Sequence, residues 1–216
     1  MQPWRVEQSH GGAGAFHAVD PRGDRSATFH TVDRPTLVVG STQRSATVDT
    51  AAATDLGVEV VRRRSGGGGV LLVPGEFVWL DLVIPAGDPL WSDDVAAAMV
   101  WVGELWQRAL HPLGEGDLQV HQGPLLASPW SGVVCWAGVG TGELMRGAAK
   151  LVGISQRRTR GWARFQSMCH LQWRPEMVAA LVAPPRPAAT EMDPLAACSS
   201  SPAATICAAL VAALPD

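Results

Sequence analysis

Residues 62–85 read RRRSGGGGVLLVPGEFVWLDLVIP, and the fold turns on how this stretch is understood. Three arginines abut four glycines, with runs on either side that have the composition of buried strands. Glycine in a strand-rich region loses more backbone entropy on folding than any other residue and offers no side chain to pack, so a run of it implies a compensating use. Letting the main chain approach a ligand closely is one such use. VEVVRR before the glycines, and VLLV then FVWLDLVIP after them, are β-branched and apolar and are bounded by Gly and Pro, the pattern of short strands. TLVVG at 36–40 adds a strand ended by glycine, and VDTAAATDLG is a short helix with Gly57 as its stop. Consecutive short strands with tight connections favour a largely antiparallel sheet. Residues 1–34, polar and Gly-rich with Pro21, read as a short helix or loop leading in.

From Ser92 the apolar period changes to that of a helix. SDDVAAAMVWVGELWQRALHPLG has Ser92 as cap, acids in the first turn, and apolar residues at 95, 98, 99, 102, 105, 106 and 110, which predicts an amphipathic helix ending near Pro112 and Gly114. Strands are expected at DLQVH and GVVCWAGV, followed by a hairpin in which KLVGISQRR turns at TRGW and returns as ARFQSMCHLQW. After Pro175 the chain becomes Ala- and Pro-rich. EMVAALVA is expected as a helix, and 183–216 as a linker, PPRPAATEMD, and a closing helix with Ser201 as cap and Pro202 at its first position.

With 216 residues, 47% of them apolar, the chain can bury one core, so a single domain over 1–216 is expected. A net charge of -3 gives no global basic field, which argues against a nucleic-acid partner and makes any basic site local. Cys135, Cys169, Cys198 and Cys207 show no CxxC pairing and do not read as a disulfide framework, so a reducing cytoplasm is expected. MQPWRVEQSH lacks an apolar leader segment and no stretch has the length to cross a bilayer, so neither secretion nor a membrane location is expected. The histidines at 10, 17, 30, 111, 121 and 170 have no ligand-like spacing, and no structural metal is expected.

Three segments could carry chemistry. The Arg/Gly loop is either a flexible tip with solvated arginines or an anion-binding concavity of main-chain N–H groups beside a guanidinium clamp. It lacks GxxxxGK[ST] and does not open a helix as GxGxxG, so it is neither a Walker loop nor a dinucleotide fingerprint. Lys150 is the only lysine in the chain, against 16 arginines, which points to a position where a compact ammonium is wanted. QRRTRGWAR places four arginines in eight residues, either as a solvated hairpin tip or as a docking face for an acidic carrier protein.

Taken in order, VVGSTQ, VVRRRSGGGGVLLVPGE and KLVGISQRR resemble the catalytic domain of the lipoate-protein ligase and octanoyl transferase family, the biotin/lipoate protein ligase catalytic domain. The likeness covers about 30–180, plus a closing helix similar to that of single-domain actinobacterial-like members. It implies an α+β fold with a mixed, mainly antiparallel sheet flanked by helices, in which the glycine loop and the lysine strand line one acyl tunnel. It also implies site roles. Arg63, Ser65 and the loop Gly66, Gly67, Gly68, Gly69, Val70 and Leu71 would bind the acyl group or its adenylate phosphate. Gln43 would lie near the tunnel on the first strand, and Gly153, Ile154 and Ser155 would line it beside Lys150. Lys150 would hold positive charge where negative charge develops, a donor whose removal typically costs about 3 to 4 kcal/mol of transition-state stabilisation. Family members carry a His-Asp pair after the glycines and a His-His-Gly segment on the return strand, where this chain has Leu72, Val73 and FQSMCH.

Two mechanisms follow from the resemblance, the ligase ranking slightly first. In the ligase route ATP, with Mg²⁺, activates the carboxylate as an acyl-adenylate, and a carrier lysine attacks it. In the transferase route, which needs no cofactor, a cysteine fifteen positions before the lysine takes the octanoyl group as a thioester, and Cys135 has that spacing from Lys150. A nearby ammonium would give that thiol nucleophilic competence, whereas most cysteines are simply small buried hydrophobes. The implied partners are a lipoyl or octanoyl substrate, a lipoyl carrier domain or glycine-cleavage H-like protein, and acyl carrier protein. A silent module that binds an acyl group or a carrier protein is the third reading, on the missing His-Asp pair. Cys169 is a poorer nucleophile candidate, because His170, next to it on a strand, points to the opposite face.

Overall fold

A computed structural model describes residues 3–216. The N-terminal third supplies β1 (Arg5–Gly11), α1 (Ala13–Ala18), β2 (Ser26–Val32), β3 (Thr36–Val39), α2 (Thr50–Asp55) and β4 (Glu59–Arg62). The middle supplies β5 (Val70–Leu72), β6 (Phe77–Pro85), α3 (Val95–Leu110) and β7 (Leu118–Val120). The remainder supplies β8 (Leu144–Arg146), β9 (Ala149–Arg158), β10 (Trp162–His170), α4 (Pro175–Ala180), α5 (Ala189–Met192) and α6 (Ala203–Ala213). Seven strands form an open sheet in the order β1-β2-β6-β10-β9-β8-β7, antiparallel except for the β1–β2 pair, and β4-β3-β5 form a small mixed sheet. The fold is therefore α+β with a mixed, mainly antiparallel sheet flanked by helices.

β6 is buried on both faces, and its alternation divides the molecule. Val78, Leu80, Leu82 and Ile84 pack with α3 and α6 in one core. Phe77 and Trp79 point the other way, into a second core shared with the small sheet. α3 forms because Asp94 accepts from the Ala96 and Ala97 amides, at 2.8 and 3.1 Å, and because Ala98, Val102, Leu105, Trp106 and Ala109 make one apolar stripe. The cap is Asp94 and not Ser92: the shorter carboxylate route to the free amides prevails, and Ser92 Oγ donates to the Asp94 carbonyl instead. Each fully buried Leu or Val on that stripe contributes about 1.5 to 3 kcal/mol.

Three further expectations need correction. Residues 1–34 contain two paired strands, β1 and β2; β1 is a sheet-edge strand with mostly exposed or half-buried residues, so its sequence carries no apolar run. GVVCWAGV is no strand but a loop with a 3-10 turn at Cys135–Ala137, because its amides bond to the glycine loop and to one another. The closing helix begins after Pro202, which stands at the cap position, and Ser201 makes no cap.

Candidate active site

The glycine run faces the chain itself. The Gly69 amide donates to the Val133 carbonyl at 2.8 Å and the Cys135 amide to the Gly69 carbonyl at 2.9 Å, a parallel bridge between the loop and the segment before Cys135. A Cβ on Gly68 would lie 2.7 Å from the Val134 main chain, and one on Gly40 only 1.9 Å from the Gly67 carbonyl oxygen. Gly67 has φ +97°, a left-handed conformation. The close approach that bare main chain permits here is thus protein against protein, whereas the sequence suggested a ligand. Gly68→Ala is expected to destabilise the fold by about 1 to 3 kcal/mol, read as a lower urea midpoint at unchanged slope.

Arg63 staples that loop. Buried, it donates from Nη1 to the Val38 carbonyl at 3.1 Å and from Nη2 to those of Gly66 and Gly68 at 2.7 and 2.9 Å. Its Nε–H is buried with no partner among the described residues, and burial pushes its pKa below the ordinary arginine value. Ser65 Oγ donates to Ser155 Oγ at 3.1 Å, so the loop and the lysine strand, 90 residues apart in sequence, meet.

They meet at a cleft of about 460 Å³, open to solvent, between the two sheets. Val38, Val70 and Leu72 of the small sheet and Trp79 and Met168 of the large one make its apolar walls. Gly153 lies under Trp136: a Cβ there would come within 3.0 Å of the indole. Arg63, Ser155, Gln166, His17 and Cys135 add the polar groups. Ile154 borders the cleft but belongs to the core on the α3 side, and Leu71 faces away from it.

One end rests on a buried polar group. Arg164 donates from both Nε and Nη2 to Asp81 Oδ2, and to the Phe16 and Val19 carbonyls at 2.8 and 3.0 Å, which anchors α1 beside the cleft. Trp79 Nε1 donates to Asp81 at 2.6 Å, and His30 Nε2 lies 3.2 Å from the same carboxylate. Burial pushes the Asp81 carboxyl up, but His30 and Arg164 outweigh it and hold the group well below the usual carboxylate range. His17 stacks on Trp79 at 5.0 Å between centroids; burial pushes it down to about 4 and His170 to about 3. Both are neutral when folded, while the unfolded chain takes up protons below pH about 6.5. Stability is therefore expected to fall with pH from about 6.5 towards 4, by about 1 kcal/mol per pH unit for each histidine, and urea midpoints of native protein and His170→Phe across that range check it.

Lys150 lies behind the cleft wall. It is 1% exposed; its Nζ pairs with Glu143 at 2.7 Å and donates to the Cys135 carbonyl at 2.8 Å, 5.4 Å from the Trp136 ring centroid. Trp136 Nε1 donates in turn to the Lys150 carbonyl at 3.1 Å. The fifteen-residue spacing is thus a physical contact: the ammonium holds the turn that presents Cys135. Glu143 also accepts from the Gly140 amide at 2.7 Å and the Ile154 amide at 3.3 Å. Sequence reading missed Glu143, Trp136 and His17; an acid in the apolar approach to the sole lysine, seven positions before it, was the one available signal. Gln43 is not on the first strand but in the turn after it, bonded to Thr47 Oγ1 at 3.1 Å and the Val133 carbonyl at 3.3 Å, and it lines a second cavity.

The arginine hairpin is mostly engaged within the molecule. Arg157 shares Asp20 with Arg64, each at 2.5 Å, Arg158 donates to the Ser92 carbonyl and lies over Trp91, and Arg164 is buried. Cys169 is fully buried, and burial pushes its thiol up. Among the described residues no three His, Cys, Asp or Glu side chains gather where they could hold a metal ion, and no helix is long and apolar enough to cross a membrane.

Solved structures share this architecture. A bipartite lipoate protein ligase of an archaeal lipoylation system, studied with its E2 lipoyl domain from Thermoplasma acidophilum, is 14% identical with TM-score 0.77, covering 99% of this chain and 82% of that one. A lipoate-protein ligase A bound with ATP is 16% identical with TM-score 0.74, covering 99% and 84%. A T. acidophilum protein solved with bound lipoic acid is 16% identical with TM-score 0.70, covering 92% and 75%. At such identities the likeness is one of fold. No curated protein matches the sequence. The family model of the lipoyl protein ligase A/B catalytic domain matches residues 15–209, nearly the whole chain that builds both sheets and the cleft, and the chain belongs to that family.

Proposed function

We propose that the protein is an acyl transfer enzyme of lipoylation, which holds a lipoyl or octanoyl group in the cleft and delivers it to the lysine of a carrier domain. The observation that carries this reading is the apolar cleft with Cys135 and Arg63 among its lining residues. The apolar walls suit an alkyl chain. Of the two routes, the thioester one is favoured, because Cys135 lines the cleft whereas Lys150 is sealed against Glu143. In it the Cys135 sulfur attacks the carbonyl of an acyl thioester; the new C–S bond forms, the donor's C–S bond breaks, and the Cys135 proton passes to the departing donor sulfur. The carrier-domain amine then attacks that carbonyl, C–N forms, C–S breaks, and the amine proton passes to the departing sulfur. Lys150 positions the turn that carries the thiol.

The acyl-adenylate route is the second reading, supported by the Arg63 guanidinium in the cleft lining, whose charge suits a carboxylate or phosphate oxygen. Mg²⁺ would enter it with the nucleotide, ATP supplying the activation. In either route the acceptor is a lipoyl domain or an H-like protein, and acyl carrier protein is a donor only in the thioester route.

Incubation with octanoyl-carrier protein without ATP, followed by intact mass, tests the leading reading. A mass increase of one octanoyl group, absent in Cys135→Ser, is the expected result. Adenylate formed only from ATP and free lipoate, with no protein adduct, would replace it with the second reading. If neither forms, the protein is a binding module.

A further inference from the structure

The molecule has a second cavity, and its position relative to the first suggests what decides chain length. It encloses about 360 Å³, part of it open to solvent, and lies on the far face of the small sheet, where Leu37 and Leu71 face Val178, Leu181 and Val182. Strand alternation explains the division: Val38 and Leu72 point to the cleft, Leu37 and Leu71 away from it. Among the described residues only Val70 and Trp136 border both spaces. β5 is an edge strand, but its Gly69 end is bridged by main-chain bonds to Val133 and Cys135, so a passage between the cavities must open beside Val70. Trp136 closes the other side, seated on Gly153 and held by its hydrogen bond to the Lys150 carbonyl.

We infer that Val70 and Trp136 form a partition that limits acyl-chain length, and that the second cavity receives the distal methylenes of a chain that passes it. This rests on the acyl reading of the cleft. The chemistry of the second cavity points to an alkyl occupant: its polar members, Gln43 and Thr47, are satisfied by each other and by the Gly40, Arg44 and Val133 main chain, so they ask nothing of a ligand. Each further methylene that becomes buried tightens binding about fourfold, the equivalent of about 0.8 kcal/mol.

The test is calorimetric titration with straight-chain acids from hexanoate to tetradecanoate. Native protein is expected to prefer octanoate to dodecanoate. Val70→Ala is expected to raise dodecanoate affinity relative to octanoate about tenfold, a gain within what a few buried methylenes supply. Adding Val182→Phe, which fills the second cavity, should remove that gain while octanoate binding stays. Trp136→Leu opens the other side and should act like Val70→Ala. If neither opening variant changes the ratio, or the gain survives Val182→Phe, this inference falls while octanoate binding still stands behind the cleft reading. If no acid of any length binds, both fall.

Discussion

Glu143→Leu is expected to lower folding stability by about 3 to 5 kcal/mol. The carboxylate is the counter-charge of the only lysine in the chain, both side chains are almost fully buried, and it also takes the Gly140 amide. With it gone, the ammonium would keep only the Cys135 carbonyl and the face of Trp136. An uncompensated buried charge costs far more than the pair contributes, because desolvation remains and the attraction does not. The companion variant Glu143→Leu/Lys150→Met should therefore recover most of the loss. Urea unfolding of the three proteins decides this, and a double variant no more stable than the single one would show that the pair is not a closed electrostatic unit. A further variant, Lys150→Met alone, separates the two roles of Lys150. If Lys150→Met remains folded but forms the Cys135 adduct slowly, with rate recovering as the Cys135 turn is re-ordered by added substrate, its part is positioning. Loss that no substrate concentration relieves points to direct contact with the reacting group.

Cys135→Ala is expected to slow acyl transfer by about 10³-fold or more while costing little stability. The thiol is half-buried, and its loss leaves the main-chain bonds of the turn untouched: the Cys135 amide still reaches Gly69 and its carbonyl still holds Lys150. A large kinetic effect with a small structural one is what separates a nucleophile from a packing residue. Single-turnover transfer from an octanoyl thioester to a lipoyl domain, with unfolding measured in parallel, reads both. Transfer by Cys135→Ala at an unchanged rate would remove the thioester route and leave the adenylate one.

The elements that were legible in the sequence are those specified by local rules. The β9–β10 hairpin follows from two alternating runs around TRGW, and α3 from a 3.6-residue apolar period with acids ahead of it. The family likeness and its fold were legible too, because VVRRRSGGGG and KLVGISQRR are long and stand in order. β1 was not, since an exposed edge strand needs no apolar pattern, and the apolar run GVVCWAGV read as a strand although its partners are the remote glycines.

The sequence by itself determined which reactive groups exist: one ammonium, a thiol fifteen positions earlier, and a loop without side chains beside an arginine. Only the tertiary structure decided which of them face the cleft. The glycines are turned to Gly40 and Val134 and the ammonium to Glu143, while Cys135 stands in the cleft lining, because the remote segment that packs against each point decides what is left facing the cleft. A sealed lysine and an exposed one have the same residue type at the same spacing, so nothing in the order of the chain distinguishes them.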